Sequence, residues 1–426
     1  MKHLLHCLLA LIPIVVGCAT KSQESIPSNI ISEEVRARID STLNSFVTSG
    51  NVAGISALIV EKDQEVYFNA FGYADLENQV KMDRNTIVQI FSMTKPITGT
   101  ALMTLYEEGK FQLDDPLEKY APEFANMKVY DGVDEKGKIK LVDSDRPVTI
   151  RDITRHTAGF PNRSDIPGLS EILAEKDPRS IEITLQEMAK RIGEIPLWFQ
   201  PGTQWEYGQS VDVQAFLVER ISGMPYKDYV QSHVLDPLKM NETRYFVPKG
   251  DRKRMASSYR RTGEGQLEKI PNEEAHKFNI HEWPLTPGGF GLTSTLDDYM
   301  KFAQMLVHKG RHKEMQIVKP ETVDLMSTNQ LPDSVTERSW LPTKGQVGFG
   351  IDFAVRTSPP ASPEEITGTV GEFFWDGAAS TLFWVDPVNE LTAVLFVQLF
   401  PYDGIGLHKK FKDAVYGTYQ ITTDSI

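Results

Sequence analysis

The chain reads as an α+β protein, with one antiparallel sheet formed from both chain ends, flanking helices and a mostly helical lobe inserted between the two halves. Three observations predict this. "ISALIVEKDQEVYFNAFG" is a pair of apolar, strand-like runs broken at Lys62 and Asp63, which is a hairpin near the N-terminus. "FFWDGAASTLFWVDPVNELTAVLFVQLF" repeats the pattern near the other end, with "DPVNE" as the turn. Between them lie helical patterns and loops rich in Gly and Pro.

Size and charge limit what such a chain does. At 426 residues, 40% hydrophobic and 24% charged, it can bury one large core or two lobes. The net charge of −13, with no run of Lys or Arg, argues against a nucleic-acid partner and against electrostatic attachment to anionic lipid.

The first element is not part of the fold. "MKHLLHCLLALIPIVVGC" has one cation and then an apolar run, interrupted by Pro13, that is shorter than the ~20 residues a membrane helix needs. Residues 1–17 therefore read as an export signal, with an ordinary secretory signal or a buried segment as the alternatives. Only Cys7 and Cys18 are present, so removal of the signal leaves no pair for a disulfide and stability must come from packing. The polar, Ser-rich residues 18–33 read as a tether. The folded domain is expected over 34–420, with the helical lobe at roughly 110–290.

Within the domain, Val35, Ile39, Leu43 and Phe46 form a helical stripe that closes on Gly50. The next helix carries the chemistry. In "FSMTKPITGTALMTLYEEGK", Ser92 precedes Lys95 by three residues, a spacing that puts both on one helix face. A serine hydroxyl needs a neighbouring base before it attacks, and an amine is one recognised solution. Pro96 suits a first helical turn, Ile97, Ala101, Leu102 and Leu105 mark a buried stripe, and Gly109 is the stop. No other serine in the chain has a lysine three residues on.

Alone the pair is also compatible with an N-cap serine and a solvated lysine. Competing catalytic patterns are missing, with no G-x-S-x-G and no H-E-x-x-H. His308 and His312 stand four apart but flank Gly310 in a charged stretch, so the nine histidines suggest no metal site.

Four blocks in order, "FSMTKPITGTALMTLYEEGK", "VTIRDITRHTAGF", "PLWFQPGTQWEYGQSVDVQAFLVERISG" and "PGGFGLTSTLDDYMKFAQML", resemble the serine β-lactamase and penicillin-binding-protein superfamily. The resemblance is to its class C β-lactamase-like branch, which includes family VIII carboxylesterases. It implies a β-lactamase/transpeptidase-like fold and a hydrolase that forms an acyl-enzyme without metal or organic cofactor. Ser92 would be the nucleophile, with Lys95 and Tyr207 sharing its proton, and the backbone N–H groups of Ser92 and Ala378 forming the oxyanion hole. "VVGC" resembles a lipoprotein lipobox, which implies lipidation at Cys18 and a membrane-anchored, exported protein of the bacterial envelope, periplasmic or outer-membrane-anchored.

Two departures from the family's pattern bear on substrate. Gln209 stands where a Tyr-x-Asn motif has its asparagine, and adds a methylene before the amide. The literal Tyr67-x-Asn69 lies on an alternating strand and reads as sheet packing. Arg261-Thr262-Gly263 imitates a Lys-Thr-Gly motif but reads as a surface turn, and the positional match is Trp375, Asp376 and Gly377, similar to the Trp-x-Gly of esterase-like members. With Gln209, Trp375, Asp376 and Gly377 at the substrate, no cation is expected on that strand, and Asp376 facing the pocket would repel an anion. The small-molecule substrate expected is an uncharged ester. A β-lactam, a D-Ala-D-Ala-type amide, or a non-catalytic binding module of the same fold remain alternatives.

Overall fold

The computed structural model describes residues 30–420. The signal at 1–17, Cys18 and residues 18–29 of the tether fall outside the described residues. The domain begins earlier than position 34. Ile31 is buried, and the N–H groups of Ile30 and Ile31 donate to the Glu61 carboxylate at 3.0 and 3.3 Å. Two isoleucines have apolar surface to bury, which a polar tether does not.

The main sheet contains β1 (Gly54–Glu61), β2 (Gln64–Asp75), β3 (Val80–Lys81), β4 (Val347–Phe349), β5 (Ala354–Arg356), β6 (Phe373–Asp376), β7 (Leu382–Asp386) and β8 (Leu391–Phe396). Its order is β4-β5-β6-β7-β8-β1-β2-β3, and each neighbouring pair is antiparallel. The two chain ends meet where Leu58 of β1 faces Val394 of β8. Every residue of β7 and β8 is buried, which is why they read as continuous apolar runs.

Helices cover both faces. α1 (Glu33–Thr48) is capped by Ser32 and buries Ile39, Leu43 and Phe46. It packs with α5 (Leu407–Tyr416), while α4 (Leu296–Val307) lies against β7 and β8. Tyr67 and Asn69 both donate to Asp40 of α1, at 2.8 and 2.9 Å, so that Tyr-x-Asn ties the sheet to a helix.

Residues 110–290 carry mainly helices, with short hairpins at Lys128–Val133/Ile139–Asp143 and Tyr259–Arg261/Leu267–Lys269. Thr262 and Gly263 lie in the second hairpin's turn. Between sheet and lobe runs α2 (Thr94–Glu107), buried at every position from Thr94 to Met103, and it packs on α3 (Ser210–Ser222). A helix enclosed on all sides holds its N-terminus rigidly, and that N-terminus carries Ser92.

Candidate active site

Ser92 lies in a short helical turn, Phe91–Met93, that leads directly into α2. Phe91 adopts φ 45°, a left-handed conformation that is costly for an aromatic residue. One helical turn on, the Lys95 ammonium group reaches the Ser92 hydroxyl at 3.1 Å and donates to the Gly289 carbonyl at 2.6 Å. Burial drives its pKa down to about 8, against the opposing pull of Asp212 and Asp352. An amine so shifted is neutral in a useful fraction near neutrality.

The loop over Lys95 needs its glycines for close approach. Gly289 donates its N–H to Asp212 Oδ1 at 2.8 Å. A Cβ there would stand 3.0 Å from that oxygen and 3.2 Å from Lys95 Nζ, and one at Gly288 would meet the Val211 carbonyl at 2.3 Å. Asp212 thus fixes the carbonyl that holds the lysine. Burial raises the pKa of Asp212 and, more strongly, that of Asp352, whose Oδ1 accepts from Gln214 at 3.0 Å.

Tyr207 completes the group. Lys95 Nζ sits 4.6 Å from its ring centroid, and its hydroxyl accepts from the Trp375 indole at 3.2 Å. Burial pushes the phenol above its ordinary value, with Ser92 and Trp375 opposing the rise, so Tyr207 is a proton donor at neutral pH. Rings enclose it: His156 at 4.8 Å, Trp340 at 5.2 Å and Trp375 at 5.3 Å between centroids. His156 is buried, and burial with Lys95 nearby pushes its pKa well down, so the imidazole is neutral.

Ser92, Tyr207, Trp340, Thr343, Asp376, Ala378 and Tyr402 line a cavity of about 370 Å³. Among the described residues, no protein acceptor takes the N–H of Ser92 or Ala378. The structure therefore brings together Ser92, Lys95, Tyr207, Asp376 and Ala378. It holds the other three expected substrate contacts behind the wall. Trp375 is 1% exposed and serves Tyr207; Gln209 is buried, its amide 3.4 Å from the Pro161 carbonyl. Gly377 is a packing position, where a Cβ would meet the Ile90 carbonyl at 2.5 Å and Thr381 Oγ1 at 2.3 Å. It lets the Ala378 turn press close to the Ser92 segment.

The charge on this wall also differs from expectation. A cation does reach Asp376, from outside its strand: Lys344, in the turn Leu341–Lys344, makes a buried ion pair with Asp376 Oδ2. Sequence reasoning misses Lys344 and Tyr402 because their loops carry no periodic pattern. Asp212 did leave a signal, as a lone carboxylate among the apolar residues of "SVDVQAFLV".

Residues 39–415 match the Beta-lactamase family. The chain belongs to that family. Over 364 residues it is 31% identical to Protein Rv1367c of Mycobacterium tuberculosis, a match covering 83% of this chain and 87% of the relative. Esterase EstB of Burkholderia gladioli is 26% identical over 412 residues, covering 89% and 95% of the two chains. The solved structure of simvastatin synthase LovD from Aspergillus terreus superimposes with a TM-score of 0.78 at 22% identity, over 92% of this chain and 100% of that one. That last likeness concerns the fold, a large antiparallel sheet with flanking helices. The family is one of β-lactamase-fold hydrolases, and an esterase is among this chain's relatives.

Proposed function

We propose that this protein hydrolyses uncharged carboxylic esters through an acyl-enzyme on Ser92. The observation that carries the reading is the 3.1 Å contact between Ser92 Oγ and an amine whose pKa is about 8, beside a cavity that Ser92 itself lines. The neutral Lys95 amine takes the hydroxyl proton as Oγ bonds the carbonyl carbon. The N–H groups of Ser92 and Ala378 receive the oxyanion, each worth roughly 2.7 to 4 kcal/mol in such sites. Tyr207, held as a phenol, protonates the departing alkoxide and recovers its proton from Lys95. Water then attacks the acyl-enzyme, gives its proton back through the same pair, and the acid leaves. The family resemblance to EstB, named an esterase, supports an ester over an amide.

Family membership also favours a second reading, an amidase acting on β-lactams or D-amino-acid peptides. Intact-mass spectrometry after exposure to a fluorophosphonate, a short p-nitrophenyl ester and a penicillin separates the two. One adduct on the Ser92 peptide with rapid ester turnover is the expected result. A long-lived penicilloyl adduct there would shift the assignment to a penicillin-binding enzyme, and no labelling at all would leave a binding module. In the same reading Cys18 carries a lipid and the enzyme works in the cell envelope; Cys18→Ser should release it to the soluble fraction, and unchanged membrane association would count against the anchor.

A further inference from the structure

The wall facing Ser92 is built around a buried ion pair that the reaction itself does not use. Lys344 donates to Asp376 Oδ2 and, at 2.8 Å, to the Tyr402 hydroxyl, which in turn donates to the same Asp376 oxygen at 2.7 Å. The two charged side chains are 4% and 8% exposed. The Lys344 ammonium also lies 5.2, 5.0 and 5.1 Å from the ring centroids of Trp340, Trp375 and Tyr402. Its positive charge is enclosed and already shared, so it has none to offer an incoming carboxylate.

Asp376 is different. Its second oxygen, Oδ1, accepts nothing from the described residues, and it is not among the polar atoms sealed from solvent. Asp376 lines the cavity with Ser92 and Ala378, only two residues before Ala378 itself. A charge-compensated carboxylate with one open acceptor oxygen selects for a hydrogen-bond donor. An anion would meet that oxygen with no free cation to balance it, and an alkyl group would leave it desolvated and unpaired.

Resting on the Ser92 reading above, we infer that Asp376, held by Lys344 and Tyr402, is the specificity determinant of the site. It selects esters that carry a hydroxyl donor near the scissile carbonyl and rejects esters that carry a carboxylate.

Two substrate series on the full-length protein test this. In the first, p-nitrophenyl esters of butyrate, β-hydroxybutyrate, β-methoxybutyrate and hemisuccinate place the group on the acyl chain. In the second, ethylene glycol monobutyrate and its methyl ether place it on the alcohol. In at least one series the hydroxyl compound should exceed its methyl ether in kcat/KM by about tenfold, the worth of one hydrogen bond to a charged group, and hemisuccinate should be the poorest substrate.

The double variant Lys344→Met/Asp376→Leu, which swaps the pair for apolar residues, should lose the hydroxyl preference, the kcat/KM ratio of hydroxyl compound to methyl ether falling to about one. Asp376→Asn, which leaves the ammonium uncompensated, should raise hemisuccinate relative to butyrate. Should the variants not fold, the wild-type series decide alone. Equal rates for hydroxyl and methyl ether in both series overturn the inference, as does a hydroxyl preference that survives in the double variant. Absence of any ester turnover would instead strike at the Ser92 reading.

Discussion

Lys95 and Lys412 are both buried, and burial takes both to a pKa of about 8, yet their settings are opposite. Lys95 donates to a hydroxyl that lines a cavity and to a backbone carbonyl. Lys412, on α5, donates to Glu372 Oε1 at 2.5 Å, and Arg356 donates to that same oxygen at 2.8 Å. Trp384 and Phe374 rings lie 4.9 and 5.1 Å from its ammonium group. A depressed amine pKa therefore marks burial and not catalysis; the acceptor decides which one it is. Where the acceptor is a nucleophile's oxygen the amine can do chemistry, and where it is an enclosed carboxylate the amine holds a sheet to a helix.

The largest expected effects break the comparison outright. Ser92→Ala should abolish ester hydrolysis and Lys95→Met should lower kcat by at least about 10³-fold, with near-native melting for both. Lys412→Met should leave kcat/KM within about twofold while lowering Tm. If Lys412→Met loses activity as Lys95→Met does while staying folded, the distinction fails.

Removing the carboxylate sharpens the structural side. Glu372→Leu leaves Arg356 and Lys412 buried without their shared acceptor, and should cost about 3–5 kcal/mol in urea unfolding. A cost below about 1 kcal/mol would mean that water already solvates the pair.

The pH response should separate the two lysines. Ester kcat/KM should rise with pH and level off above about 8 as Lys95 loses its proton. For stability, each folded-state pKa lies below the unfolded value of about 10.4, so between pH 8 and about 9.5 the unfolded chain binds more protons. Unfolding free energy should then climb with pH across that window, by up to about 1.4 kcal/mol per pH unit for each lysine. Either Met variant should remove part of that slope, and only Lys95→Met should remove the activity profile. An identical activity profile in Lys95→Met would disprove its role as base.

The smallest effect concerns the floor beneath Lys95. A Cβ at Gly99 of α2 would stand 2.4 Å from Asp352 Oδ2, so Gly99→Ala should cost about 1–3 kcal/mol of stability and less than tenfold in kcat. A neutral substitution would show that Asp352 can move aside.

Much of the architecture was legible because its signals are local. The break at Lys62 and Asp63 and the turn in "DPVNE" end strands that alternate or run apolar, and the observed strands stop at Glu61 and Asp386. The stripe beyond Lys95 and the stop at Gly109, with φ 71°, locate α2, so Ser92 and Lys95 share a helix face before any tertiary contact is considered. Tyr207 was legible only through resemblance, since a lone tyrosine beside Trp198 and Trp205 has no pattern of its own.

What the sequence determined by itself was therefore the two-ended sheet, the buried helix and the serine with its amine, all set by spacings of two, three or four residues. Tertiary structure decided the rest. It holds Lys95 against Gly289, 194 residues away, and sets Asp212 beneath that loop. It withdraws Trp375 and Gln209 from the cavity and brings Lys344, 32 residues upstream, to neutralise Asp376. Periodicity reports which face of an element is buried, whereas the charge and hydrogen bonding of a pocket depend on which distant loop closes over it.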